Sequence, residues 1–132
     1  MKLTVTTFTV MLGVLVALPL AVAGGQGEEE RLIDVTADTS EVKEITVSSR
    51  QLAFVQNEIR VNRGDVIRLT YQNGGGTHNW ALDEFDAATE TIGGGQSTTI
   101  EFTADRAGTF EFYCNVGNHR ELGMVGTFIV VE

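Results

Sequence analysis

Apolar and polar residues alternate with a period of two along most of this chain, and turn residues interrupt the alternation at short intervals. In residues 65–71 (DVIRLTY), Ile67, Leu69 and Tyr71 fall on one face and Val66, Arg68 and Thr70 on the other. In 98–104 (TTIEFTA), Ile100 and Phe102 oppose Thr99, Glu101 and Thr103. In 108–114 (GTFEFYC), Phe110, Phe112 and Cys114 share a face opposite Thr109, Glu111 and Tyr113, and a β-branched run, MVGTFIVV, closes the chain. The breaks are Asn62–Asp65 (NRGD), Asn73–Gly76 (NGGG), Gly93–Gly95 and Asp105–Gly108 (DRAG). A period of two with turns at this spacing predicts an all-β, antiparallel sandwich or barrel. Only residues 83–90 (DEFDAATE) read as able to hold a turn of helix.

The N-terminus follows another pattern. Lys2 precedes an apolar run that contains Pro19 and ends in Ala21-Val22-Ala23 before Gly24. A positive start, an apolar middle and small residues at an A-x-A site make residues 1–23 a secretory signal. The alternative is an uncleaved anchor, since Leu3–Val22 is long enough to span a bilayer, although its threonines and Pro19 weaken it. Both readings predict export, to the periplasm or the outer face of the cytoplasmic membrane, with a membrane tether if the segment is retained. Residues 24–40, opening on GGQGEEER, read as a flexible acidic tether, and 41–132 as one domain.

Charge narrows the partners. Eighteen acidic residues face nine basic ones, a net charge of −9, and cleavage at Ala23 would remove only Lys2 from that balance. So acidic a surface repels a phosphate backbone and excludes nucleic acid as a partner. It suits a basic protein partner, or it merely keeps an exported domain soluble.

The chemistry lies in the rare donor side chains. The chain has one cysteine, Cys114, and two histidines, His78 and His119; beyond the signal segment it has one methionine, Met124. Three of the four fall at regular spacing, Cys114-x4-His119-x4-Met124, and His78 opens a separate apolar stretch, HNWAL. An unpaired thiol in an oxidising compartment is a liability unless something occupies it. A thiolate, two imidazoles and a weak thioether form the ligand set of a mononuclear copper electron-transfer site. Each residue taken alone reads differently: Cys114 as a small core hydrophobe, Met124 as core filler, the histidines as solvated or satisfied. Those readings must all hold together while the spacing arises by chance, and the metal site explains it once.

These residues resemble the cupredoxins, the small blue copper proteins, over roughly Leu52–Val131. AFVQNEIRVNRGDVIRLTYQNGGGTHNW is similar to the family's strand, GD turn, strand, Asn and ligand His-Asn, the Asn being Asn73; GTFEFYCNVGNHRELGMVGTFIVV is similar to its last strands and ligand loop. The Cys-x4-His-x4-Met loop resembles that of the auracyanin and rusticyanin type. The resemblance implies a Greek-key sandwich of about seven to eight strands with one copper ion, Cu(I)/Cu(II), held by His78, Cys114, His119 and Met124. It further implies that the Asn79 backbone N–H donates to the Cys114 sulfur and tunes the potential. The implied role is a monomeric electron carrier, not an enzyme, between redox proteins such as c-type cytochromes or membrane-bound oxidoreductases. The alternative is a copper-binding protein for storage or delivery. A copper oxidase or nitrite reductase needs further histidines for a second copper, and this chain has none to spare. One departure stands out: the auracyanin type carries Pro-Gly before the ligand histidine, and here the pair is Gly117-Asn118. Without proline's fixed φ the loop is expected to be looser or differently hydrogen-bonded.

Overall fold

The computed structural model describes residues 31–132, so the signal-like segment 1–23 and the first residues of the tether lie outside the described residues. Twelve strand segments follow one another: β1 Leu32–Asp34, β2 Val42–Arg50, β3 Ala53–Phe54, β4 Glu58–Asn62, β5 Val66–Asn73, β6 Thr77–His78, β7 Ala81–Leu82, β8 Ala87–Ala88, β9 Ile92–Gly93, β10 Ser97–Thr103, β11 Gly108–Tyr113 and β12 Val125–Val131. Seven have three residues or more, which is the sandwich expected from the sequence; the other five are two-residue pairings in the connections. The only helical turn among the described residues is the 3-10 turn Asp83–Phe85, inside the stretch where one was expected.

The strands form a six-stranded sheet, β1-β4-β12-β11-β7-β8, a four-stranded sheet, β10-β5-β2-β3, and a two-stranded pair, β6-β9. The expectation of a purely antiparallel sandwich needs correction. β2 runs parallel to β5, and β4 runs parallel to both β1 and β12. Alternation fixes which side chains point inward but carries no information about strand direction.

Two further differences have physical causes. Residues 32–40 fell in the expected tether, yet β1 pairs with β4, Val35 N–H donates to Arg60 C=O, and the Asn62 carboxamide donates to Thr36 C=O. Three residues are too few for a periodic signal, so this edge strand was invisible in the sequence. The long strand β2 was missed because an inward position carries a charge. Lys43 shares the buried face with Ile45 and Val47, held by Asp65 at 3.7 Å and by the Ser40 carbonyl.

The core fills the space between the two main sheets. Ile45 and Val47 of β2 and Ile67, Leu69 and Tyr71 of β5 face Ile59 and Val61 of β4, Phe112 of β11 and Phe128 of β12. Trp80 lies wholly inside, against Phe102 at 5.9 Å and Phe112 at 5.4 Å between ring centroids. Each such side chain contributes roughly 1.5–3 kcal/mol by leaving water. Gly126 makes room for this packing, since a Cβ there would lie 2.1 Å from Phe112 Cζ.

Candidate metal centre

The hairpin of β11 and β12 brings the loop donors together. Tyr113 pairs with Val125, so the next pair outward is Cys114 and Met124, and Cys114 N–H donates to Met124 C=O at 3.1 Å. Met124 N–H in turn donates to His119 C=O at 3.0 Å, which folds the middle of the loop back over its base. Regular spacing thus becomes spatial convergence: Cys114 and Met124 oppose each other across a hairpin, and His119 arches above them. Cys114 and Met124 are fully buried.

His78 arrives from elsewhere. It pairs with Ile92 in the β6-β9 ribbon, three residues before Ala81 pairs with Tyr113. That second pairing places His78 beside the start of the ligand loop. Asn79 secures the junction, its side-chain oxygen accepting from Asn115 N–H at 2.9 Å.

Three donor atoms meet here. His78 Nδ1 and His119 Nδ1 are 3.1 Å apart, and Cys114 Sγ lies 3.8 Å from the first and 3.5 Å from the second. Two imidazoles and a thiolate bound to one ion at ordinary metal–ligand lengths would stand roughly 3.3–3.8 Å from one another. The two sulfur–nitrogen distances fall in that range and the nitrogen–nitrogen distance just below it, so the donors are nearly spaced for a metal, and a soft thiolate with two imidazoles suits copper.

Burial differs among the three donors. His78 is 3 % exposed, whereas His119 is partly exposed. Burial pushes the His78 pKa down and the neighbouring His119 adds to the shift, while the backbone carbonyls of Gln51 and Gly75 act the other way by accepting from the ring. The ring is thus favoured as neutral imidazole, the form that can ligate. Nδ1 is the ring atom turned toward the other two donors.

All the donor positions expected from the sequence lie at this end of the sandwich: His78, Cys114 and His119 in the cluster, Met124 at the loop base, and Asn79 beside it. Sequence reasoning missed the cradle behind His78. The NGGG stretch read as a turn, but Gly76 packs so closely on the ring that a Cβ there would lie 2.9 Å from Nε2. An open hollow of about 620 Å³ lies over the site, lined by Leu52, Gly74–Gly76, Val116 and His119 among others.

Gly117 explains its own departure from the resembled loop. Its φ is +51°, a left-handed conformation that proline, fixed near −65°, cannot adopt. The loop is accordingly hydrogen-bonded within itself, His119 N–H to Val116 C=O and Leu122 N–H to Asn118 C=O, both at 3.1 Å.

A two-sheet sandwich that carries a buried set of two imidazoles and one thiol at one end defines a cupredoxin-type copper protein. The family model of copper binding proteins of the plastocyanin/azurin family matches residues 41–131, and the chain belongs to that family. No curated protein sequence matches the chain. Among solved structures it is similar to a dithionite-reduced auracyanin from the photosynthetic bacterium Roseiflexus castenholzii, at 27% identity and a TM-score of 0.63, over 68% of this chain and 98% of that one. Auracyanin A, a blue copper protein of Chloroflexus aurantiacus, matches at 23% identity and a TM-score of 0.61, over 67% of this chain and 98% of that one. Reduced rusticyanin shares the fold at 15% identity and a TM-score of 0.60, over 76% of this chain and 84% of that one.

Proposed function

We propose that this protein is an exported electron carrier, passing single electrons between redox partners through a copper centre of two histidines, one cysteine and one methionine. The observation that carries the reading is the convergence of His78 Nδ1, His119 Nδ1 and Cys114 Sγ at a buried point with one ligand edge left partly open. Copper bound there supplies a one-electron couple, Cu(II)/Cu(I).

The protein's own part is to hold the donors still. The hairpin base, the Asn79–Asn115 bond and the His78 cradle fix three donors before the metal arrives, so little need move between oxidation states. Met124 would offer its thioether to the ion as a weak ligand, which its burial and its backbone bonds to Cys114 and His119 support. The Asn79 N–H is assigned to the Cys114 sulfur, where a donor would draw charge from the thiolate and raise the potential. His119, the more exposed histidine, is the exchange point, and the surface around it, with Val116, Leu122 and Gly74–Gly76, is where a partner would dock. Leu122 is 56 % exposed there. Encounters on so small a face are weak and brief, as turnover requires. No enzymatic step is assigned: both histidines of the chain are used by this one centre.

The test is a visible absorption spectrum of the purified protein with one equivalent of copper(II), followed by ascorbate and reoxidation. An intense thiolate-to-copper band that bleaches and returns is expected. The weak absorption of ordinary copper(II), or loss of the metal to an apo acceptor within a few turnovers, would overturn the carrier reading in favour of copper storage or delivery.

A further inference from the structure

His78 is the one clustered donor that does not come from the loop between β11 and β12. Its ribbon, β6-β9, is the smallest sheet of the fold, and two residues on each side cannot fix a ring by themselves. Something else must hold it. At the end of β5, Asn73 is 3 % exposed and Ser49, opposite it on β2, is 1 % exposed. The Asn73 carboxamide has all four of its hydrogen bonds filled. Nδ2 donates to Gly76 C=O at 3.0 Å and to Ile92 C=O at 2.9 Å. Oδ1 accepts from Gly75 N–H at 3.1 Å and from the Ser49 hydroxyl at 3.2 Å.

Those partners are the walls around His78. Ile92 is its cross-strand neighbour, and Gly76 lies against Nε2. The same side chain is anchored to the core, because the Ser49 hydroxyl also meets the Tyr71 phenol at 2.7 Å, and Ser49 C=O accepts from Gly74 N–H at 3.0 Å. We propose that Asn73 is a positioning residue of the copper centre: from sheet β10-β5-β2-β3 it fixes both segments that clasp the His78 ring and so aims Nδ1 at Cys114 and His119. This rests on the reading of His78 as a copper ligand. Asn73 touches no donor atom itself. A buried amide with every bond made is rigid, and each bond lost leaves a buried carbonyl or N–H unpaired.

The test compares the full chain with Asn73→Ala and Ser49→Ala. In the metal-free protein, NMR follows solvent exchange of the His78 Nε2 proton and, as a control, of the Trp80 indole proton, which is buried in the core without a hydrogen-bond partner. Asn73→Ala is expected to speed His78 exchange about tenfold and Ser49→Ala roughly threefold, the range for one ordinary hydrogen bond, while Trp80 exchange stays within about twofold. Loaded with copper(II), Asn73→Ala is expected to show a raised reduction potential, because a His78 ring no longer held in place is a poorer donor to the oxidised ion. Should Asn73→Ala fail to fold, Ser49→Ala decides alone. Equal acceleration of His78 and Trp80, or none at His78, overturns the proposal. Absence of the blue band in the unmodified protein overturns the copper reading instead, and the exchange data still judge Asn73.

Discussion

Cys114 and Met124 show how residue type and position divide the information. Both were marked as donors in the sequence by rarity and spacing, and both sit fully buried at facing ends of one hairpin. If Met124 offers its thioether to the copper, Met124→Leu should keep an intense blue band but raise the reduction potential, since apolar surroundings favour the less charged ion. A shift of about a factor of ten in the reduction equilibrium, roughly 59 mV, is expected by voltammetry; an unchanged potential would remove Met124 from the site. His78 makes a prediction for the metal-free protein. Its native pKa lies below the ordinary 6.5 because the ring is buried, so the unfolded chain takes up a proton first as pH falls. Stability is then full above about pH 6.5 and declines as pH drops toward the depressed native value. Urea midpoints at about pH 7.5 and 5.5 should show the decline, and His78→Asn should flatten it. Asn73 was legible as a turn residue and as part of the resembled pattern, but its clasp was not, because two of its four partners, Ile92 C=O and the Ser49 hydroxyl, lie 19 and 24 residues away in the chain.

Among the elements, those whose inward face is uniformly apolar were readable in advance. β5, β10 and β11 follow the expected alternation, with the alternate residues inward. β2 was hidden by Lys43 and β1 by its length, yet β2 pairs with β5 along its whole inner edge. At the β11-β12 hairpin, Gly126 makes room for the Phe112 ring. Gly126→Ala should therefore destabilise the domain by about 1–3 kcal/mol or more, read by urea denaturation, because the ring or β12 must shift. A neutral result would mean that Phe112 has room elsewhere. Arg120, next to His119, stacks on Tyr113 at 3.9 Å and pairs with Glu111 at 2.8 Å, tying the loop to β11.

For the whole molecule, charge and asymmetry set the outlook. The net charge of −9 includes Asp83, Glu84, Asp86 and Glu90, all exposed on one stretch after Trp80. On the proposed reading, electron exchange with a basic c-type cytochrome should slow by about tenfold between roughly 10 and 200 mM salt, and Glu84→Gln with Glu90→Gln should flatten that dependence. Stopped-flow rates that ignore salt would place docking on the apolar surface around His119 alone. No helix among the described residues is long and apolar enough to cross a membrane. The sequence by itself determined the β class, the inward face of most strands, the donor types and the acidic balance, because periodicity, rarity and charge are local or additive. Only the tertiary structure decided strand direction, the inclusion of β1 and β2, the approach of His78 to Cys114 and the Asn73 clasp behind it. Each of these depends on hydrogen bonds between segments distant in the chain, backbone ladders for the strands and the Asn73 carboxamide for the clasp, and no local pattern in the sequence shows them.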